Sequence, residues 1–139
     1  MNELFVLDSG ALGALAVDDS RMRRLLANIV RDGGFIRVPA VVLAECYGDA
    51  RYDARYDRAL KALGGTERVV VDTTAAIAKE AGRILRAAEM KETVDAIVVA
   101  TVASAAIRAT IVTGDASHIE DLICCVEREI GIIFLNELA

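Results

Sequence analysis

The sequence predicts a three-layer α/β protein, with helices on both sides of a mostly parallel sheet of five strands. Two observations carry this. Short, uniformly apolar runs of strand length alternate with longer amphipathic stretches from one end of the chain to the other. No internal repeat, linker or low-complexity segment interrupts them, and 139 residues suit a single domain over 1–139.

The elements follow in order. Residues 4–7, LFVL, are an apolar strand that ends at Asp8, with Ser9 and Gly10 making the turn. Residues 11–17 read as a short helix. Residues 18–31 read as a second, with Leu25, Leu26, Ile29 and Val30 on its apolar stripe and Gly33-Gly34 as its stop. Residues 35–38 form the second strand. Pro39 suits the first position of the next helix, which runs through Cys46 to near Gly48. Residues 49–63 are a charged helix closed by Gly64-Gly65, and 68–71 the third strand. Thr73 or Thr74 caps a helix reaching about Ala88. After a break at Lys91 and Glu92 comes a helix over 93–108, then a fourth strand over 110–113. A polar loop or helix spans 116–129, and 131–135 (GIIFL) is the fifth strand.

Composition narrows the function. The hydrophobic fraction of 55% and mean hydropathy of +0.40 belong to a chain that folds, and suggest apolar surface for a second copy or a partner. Aromatic content of 4% without tryptophan argues against base-stacking platforms as the main binding device. A net charge of −5 and a pI of about 4.9 argue against a general nucleic-acid binder. Arginines do cluster at Arg21, Arg23, Arg24 and Arg31, and again at Arg51, Arg55 and Arg58 with Lys61, but acids are interleaved with both groups, as on solvated helix faces. Three cysteines, two of them adjacent, match no zinc spacing and read as reduced thiols, with Cys46 a core residue. The N-terminus has acids where a signal peptide has basic residues, and the apolar stretch over 96–107 is too short to span a bilayer. A cytoplasmic protein without membrane attachment is expected.

Four acids sit where acids are unexpected. Asp8 is the only charged residue within 4–17, Glu45 within 38–48 and Asp95 within 93–107, and Asp115 directly follows the apolar strand TIVTG. An ionised carboxylate pressed against a core needs a partner, and none of these stretches contains a lysine or arginine. Asp8 and Asp115 end two predicted parallel strands, and ligands of open α/β sheets bind beyond such ends, where strand order reverses. If the first and fourth strands are neighbours, both acids face one crevice that Glu45 and Asp95 can reach from helices. Clustered hard oxygens suit Mg²⁺ or Mn²⁺ and the metal-assisted hydrolysis of a phosphodiester. Each acid also has an ordinary reading: Asp8 as a helix cap, Asp95 as a solvent-facing helix residue.

Together, LDSGAL with Asp8, PAVVLAE with Glu45, VDAIVVATV with Asp95 and IVTGD with Asp115 resemble the PIN domain, and within it the VapC-type toxins of toxin–antitoxin pairs. The resemblance covers essentially the whole chain. It implies a doubly wound sheet of order 3-2-1-4-5 and Mg²⁺- or Mn²⁺-dependent endoribonuclease activity through an activated water. It also implies a homodimer and a cognate antitoxin covering the site. Asp8, Glu45, Asp95 and Asp115 would be the metal-binding, catalytic acids. Ser9 and Thr113 match hydroxyl residues beside the first and last acid and would donate hydrogen bonds to them, or serve only the turn and strand. Glu92, one helical turn before Asp95, joins the outer part of the site or is a solvated helix-start residue. Gly10 departs from many relatives, which carry a less flexible residue there.

The remaining residues point to less. His118 lies near the mouth of the crevice or is a surface residue, and with no serine nucleophile near it a Ser-His-Asp hydrolase is unsupported. Cys124-Cys125 is expected beneath the sheet edge, Asp72 as a cap or surface acid, and Tyr47, Tyr52 and Tyr56 in ordinary half-buried packing. Besides the nuclease, the sequence admits a catalytically silent PIN-like module binding RNA or protein, and a housekeeping RNA-processing nuclease. A response-regulator receiver fits poorly. Asp8 is not one of a pair, and the last strand is followed by Asn136 rather than lysine.

Overall fold

Two parallel strands set the frame: β1 (Leu4–Leu7) and β4 (Ala109–Thr113) are hydrogen-bonded neighbours, Leu7 in register with Val112. The structure is a computed structural model and describes residues 2–114 and 117–138, so Asp115 lies outside the described residues. With β2 (Phe35–Pro39), β3 (Val70–Val71) and β5 (Gly131–Phe134) they form one parallel sheet in the order β3-β2-β1-β4-β5. That is the order the resemblance implies, and with helices on both faces it makes the three-layer α/β/α fold. Strand order reverses between β1 and β4, so the crevice of the switch point opens beyond Leu7 and Thr113. Val6, Leu7, Ile111 and Val112 are fully buried, as strands covered on both faces must be.

Each helix begins or ends for a local reason. The first, α1 (Ser9–Ala16), starts directly after Asp8 rather than at residue 11, because the Asp8 carboxylate accepts the Ala11 amide hydrogen at 2.9 Å and caps it. Asp19 caps α2 (Ser20–Arg31) through the amides of Arg21 and Met22. Pro39 ends β2 instead of opening α3 (Ala40–Cys46). Its φ of −62° fits either place, and its ψ of 138° makes it extended. The charged stretch after Gly48 splits into a 3-10 turn, Ala50–Tyr52, capped by Asp49, and then α4 (Asp53–Ala62).

The strand expected over 68–71 is only Val70–Val71. Gly65, at φ 96°, lets the chain wind one more turn, α5 (Thr66–Val69). Thr74 caps α6 (Ala75–Ala88) through the amide of Ile77. The helix α7 (Thr93–Ala103) stops five residues short of the expected 108. The Ser104 hydroxyl turns back onto the Ala100 carbonyl, and the Arg128 guanidinium gathers the carbonyls of Ala103, Ala105 and Ile107. The polar stretch after β4 contains α8 (Ser117–Ile123), and β5 ends in a 3-10 turn, Leu135–Glu137.

The core is continuous from α1 through the sheet to α7. Because α7 is apolar around its circumference, it buries Ala96, Val98, Val99, Ala100 and Val102 between the sheet, α6 and α8. Cys46 is buried as expected, whereas Cys124 is exposed and only Cys125 is partly covered. No helix among the described residues is long and apolar enough to cross a membrane.

Candidate active site

Asp8 leaves the end of β1 and is only 7% exposed. Its backbone amide donates to the Val112 carbonyl at 3.1 Å, which holds the residue against the end of β4. The carboxylate accepts from the Ala11 amide, the Thr113 hydroxyl and the Gly114 amide. Those three donors favour the anion. Burial outweighs them, however, and with the nearby charge of Asp95 it pushes the Asp8 carboxyl above the ordinary aspartate value.

Asp95 reaches the same place from the first turn of α7. It is half-buried, and its carboxyl too is pushed up, first by burial and then by the charge of Glu45, against the opposing pull of His118. Glu45, on the last turn of α3, is exposed and receives a hydrogen bond from the Ser9 hydroxyl. Of the sequence-predicted acids, Asp95 lies close enough to feel Glu45, and Asp8 close enough to feel Asp95, at the switch point. The fourth, Asp115, lies outside the described residues.

The flanking residues resolve differently. Ser9 touches Glu45 and Thr113 touches Asp8, so neither hydroxyl serves only a turn or strand. Glu92 is half-buried at the N-cap position of α7 but makes no capping bond, and its Oε1 lies 3.7 Å from His118 Nε2. His118 Nδ1 lies 3.4 Å from Asp95 Oδ2. The imidazole is thus both of the things the sequence allowed, exposed at 51% and standing at the mouth of the acids. Its spacing of three residues from Asp115 was the only sequence signal for this.

One device was invisible in the sequence. Gly10, in the first turn of α1, packs on Gly114 at the end of β4, where a Cβ on Gly10 would fall 3.0 Å from the Gly114 Cα and nitrogen. Two residues without side chains let the capped helix and the strand end close on Asp8.

The donor set suits a hard divalent cation: carboxylate oxygens, with Asp95 raising the proton affinity of Asp8 and Glu45 that of Asp95, and no lysine or arginine ion-paired to any of the three among the described residues. Among the described residues, no three His, Cys, Asp or Glu side chains are grouped so that they hold a metal ion as they stand. Glu45 is turned to Ser9, and Asp95 to His118.

A parallel doubly wound sheet with carboxylates at its switch point defines a class of small α/β proteins whose ligands bind beyond the strand ends. The chain belongs to the PIN domain family, whose family model matches residues 5–120. Members of that family are in general metal-dependent nucleases. Similar solved structures include VapBC2 from Rickettsia felis bound to a DNA fragment from their promoter, at 15% identity and a TM-score of 0.65, covering 94% of this chain and 98% of that one. PAE2754 from Pyrobaculum aerophilum is similar at 17% identity and a TM-score of 0.58, covering 98% and 93%. FitAB bound to an IR36 DNA fragment is similar at 13% identity and a TM-score of 0.66, covering 97% of each chain. At these identities the likeness is one of fold. No curated protein matches the sequence.

Proposed function

We propose that the chain is a Mg²⁺- or Mn²⁺-dependent endoribonuclease and the toxin of a toxin–antitoxin pair. The observation that carries the reading is Asp8, a buried carboxylate at the switch point whose proton affinity is raised by burial and by Asp95. Family membership supports the nuclease class. Asp8, Glu45, Asp95 and Asp115 would hold the cation, and bound there it supplies Lewis-acid polarisation of the scissile phosphate and activation of water.

The chain's own residues do the rest. Thr113 and the Ala11 and Gly114 amides fix the Asp8 carboxylate, Ser9 aims Glu45, and His118 stands against Asp95 and Glu92. Burial of Asp8 limits the water that reaches its carboxylate.

The toxin assignment draws on likeness to VapBC2 and FitAB, both described as bound to DNA. On this reading the chain works beside a cognate antitoxin in the cytoplasm, as a homodimer. Val30, exposed at 67%, is apolar surface that a second copy or a partner would cover.

The test is cleavage of a mixed single-stranded and structured RNA pool in Mg²⁺, Mn²⁺ or EDTA. Wild type, Asp8→Asn and Asp95→Asn are compared. Metal-dependent cutting that both variants lose is expected. No cutting by wild type in any metal, with no heat of divalent binding, overturns the reading in favour of a silent binding module.

A further inference from the structure

A polyanion cannot lie wholly among carboxylates, and α1 leads away from Asp8 to a surface where arginines stand among acids. From Ser9, beside Asp8, α1 runs eight residues to Ala16, about 12 Å of helix. Tyr56 borders its middle, where a Cβ on Gly13 would meet the tyrosine hydroxyl at 3.5 Å. At the far end Ala16 and Val17 share a cleft of about 260 Å³ with Tyr52 and Arg55. Tyr52 is 39% exposed, and the guanidinium carbons of Arg51 and Arg55 lie 5.4 and 5.5 Å from its ring centre. On the other side of Arg55 a larger cleft, about 570 Å³, is bordered by Arg23 and Arg58.

These arginines are not equivalent. Arg51 is bound to Asp49 at 2.6 Å and Arg23 to Asp18 at 3.1 Å. On a chain of net charge −5, Arg55 and Arg58 of α4 are guanidinium groups without a carboxylate partner among the described residues, and Arg55 lies against the exposed Tyr52 ring at the far end of α1, the helix whose first residue follows Asp8.

We propose that Tyr52, Arg55 and Arg58 form the arm of the substrate site that carries single-stranded RNA along α1 to the crevice. The ring stacks on a base and the two arginines take phosphates. The proposal rests on the ribonuclease reading for its ligand. An acidic protein helix would also meet the arginines, but this surface's continuity with the crevice along α1 favours the strand that has to enter there.

The test separates the arm from the chemistry. Binding of a short, unstructured, fluorescently labelled RNA is followed by anisotropy over a range of salt, in an Asp8→Asn background that does not consume the probe. Arg55→Gln/Arg58→Gln should lower affinity tenfold or more at low salt. It should also flatten the slope of log K against log salt by about 1.4, for two phosphates on a single strand. Tyr52→Ala should lower affinity roughly 5- to 100-fold with the slope unchanged. Lys79→Gln/Arg86→Gln, which removes the same charge from α6, should leave the slope as it was, and thermal unfolding checks that all variants are folded. If the arginine pair behaves like the α6 pair, the arm is refuted. The arm is refuted equally if the pair leaves RNA binding intact but abolishes co-purification with a co-expressed antitoxin, which assigns the surface to protein. Failure of wild type to cut RNA with metal sinks the nuclease reading instead, and the binding data are read independently of it.

Discussion

Gly10 and Gly114 touch backbone to backbone: a Cβ on the first would lie 3.0 Å from the second's Cα, and a Cβ on the second 3.1 Å from the first's. The contact seals α1 to the end of β4 directly beneath the Asp8 carboxylate, which accepts the amides of both Ala11 and Gly114. Alanine at either glycine must push the helix and the strand apart, because the obstacle is backbone and not a side chain that can swing away. Gly10→Ala should cost about 1–3 kcal/mol and reduce cleavage together with stability. Gly82, in the exposed face of α6, is the internal comparison. A Cβ there meets nothing within 4 Å, so Gly82→Ala should stabilise by about 0.5–1 kcal/mol and leave cleavage alone. Urea titrations of both variants decide it, and equal effects at the two sites would refute the account of the glycine pair.

Asp8 should be a residue the fold tolerates at a cost. Its folded proton affinity is raised, so the ionised form is the disfavoured one in the native state. The sign follows. Below the ordinary aspartate value of 3.8 the carboxyl is protonated in both states and costs nothing. As pH rises past that value towards and through the raised folded value, native stability is lost. Asparagine keeps the oxygen that caps α1 and removes the charge. In EDTA, Asp8→Asn should therefore lose cleavage and should stand better against wild type at neutral pH than in acid, because only wild type carries the disfavoured charge. Denaturation of both in EDTA at pH 3 and pH 7 measures this, and a stability difference that does not change with pH, or that favours wild type more at pH 7, would contradict it.

Much of this was legible in the sequence, for physical reasons. A parallel strand buried on both faces must be apolar throughout, so LFVL and TIVT announced themselves, and an acid at the end of such a run, Asp8, stood out. What stayed hidden depends on contacts distant in sequence. Nothing near Ala103 says that the helix stops there, since VASAAI continues its apolar pattern to Ile107. The stop comes in part from Arg128, 25 residues later, which takes the carbonyl of Ala103 at 3.3 Å. Gly10 was seen as a departure in turn geometry, but its reason, Gly114, is 104 positions away, the difference of the two residue numbers. The spacing of His118 left it near the mouth or simply on the surface, and its contacts with Asp95 and Glu92 required the fold.

The Arg128 clamp makes a prediction of its own. One planar guanidinium serves the carbonyls of Ala103, Ala105 and Ile107 at once. Removing it leaves these acceptors at a partly buried helix end, so Arg128→Ala should cost about 2 kcal/mol. Lysine has a single ammonium in place of the fork and should recover less than half of that. Thermal unfolding of both variants is the check, and a lysine variant as stable as wild type would show that charge, not geometry, holds the α7–β4 connection.

Ser9 offers the narrowest test of the site, because it touches a proposed metal-binding acid without being one. Its hydroxyl donates to Glu45 from the first turn of α1, tying α3 to the residue after Asp8. Alanine removes the donor while leaving the helix and the Asp8 cap in place, so the fold should be unchanged. Glu45 would then be free to rotate, and outer hydrogen bonds of this kind are worth roughly 10- to 100-fold in metal affinity or activity. Ser9→Ala should weaken Mn²⁺ binding by that order in calorimetry, with a parallel fall in cleavage and no shift in unfolding. Ser9→Thr, which keeps the hydroxyl, should restore most of it. If both substitutions leave Mn²⁺ affinity untouched, Glu45 needs no help to find its position and Ser9 is a turn residue alone. If alanine instead lowers stability without changing metal affinity, the hydrogen bond holds α1 to α3 and contributes nothing to the chemistry.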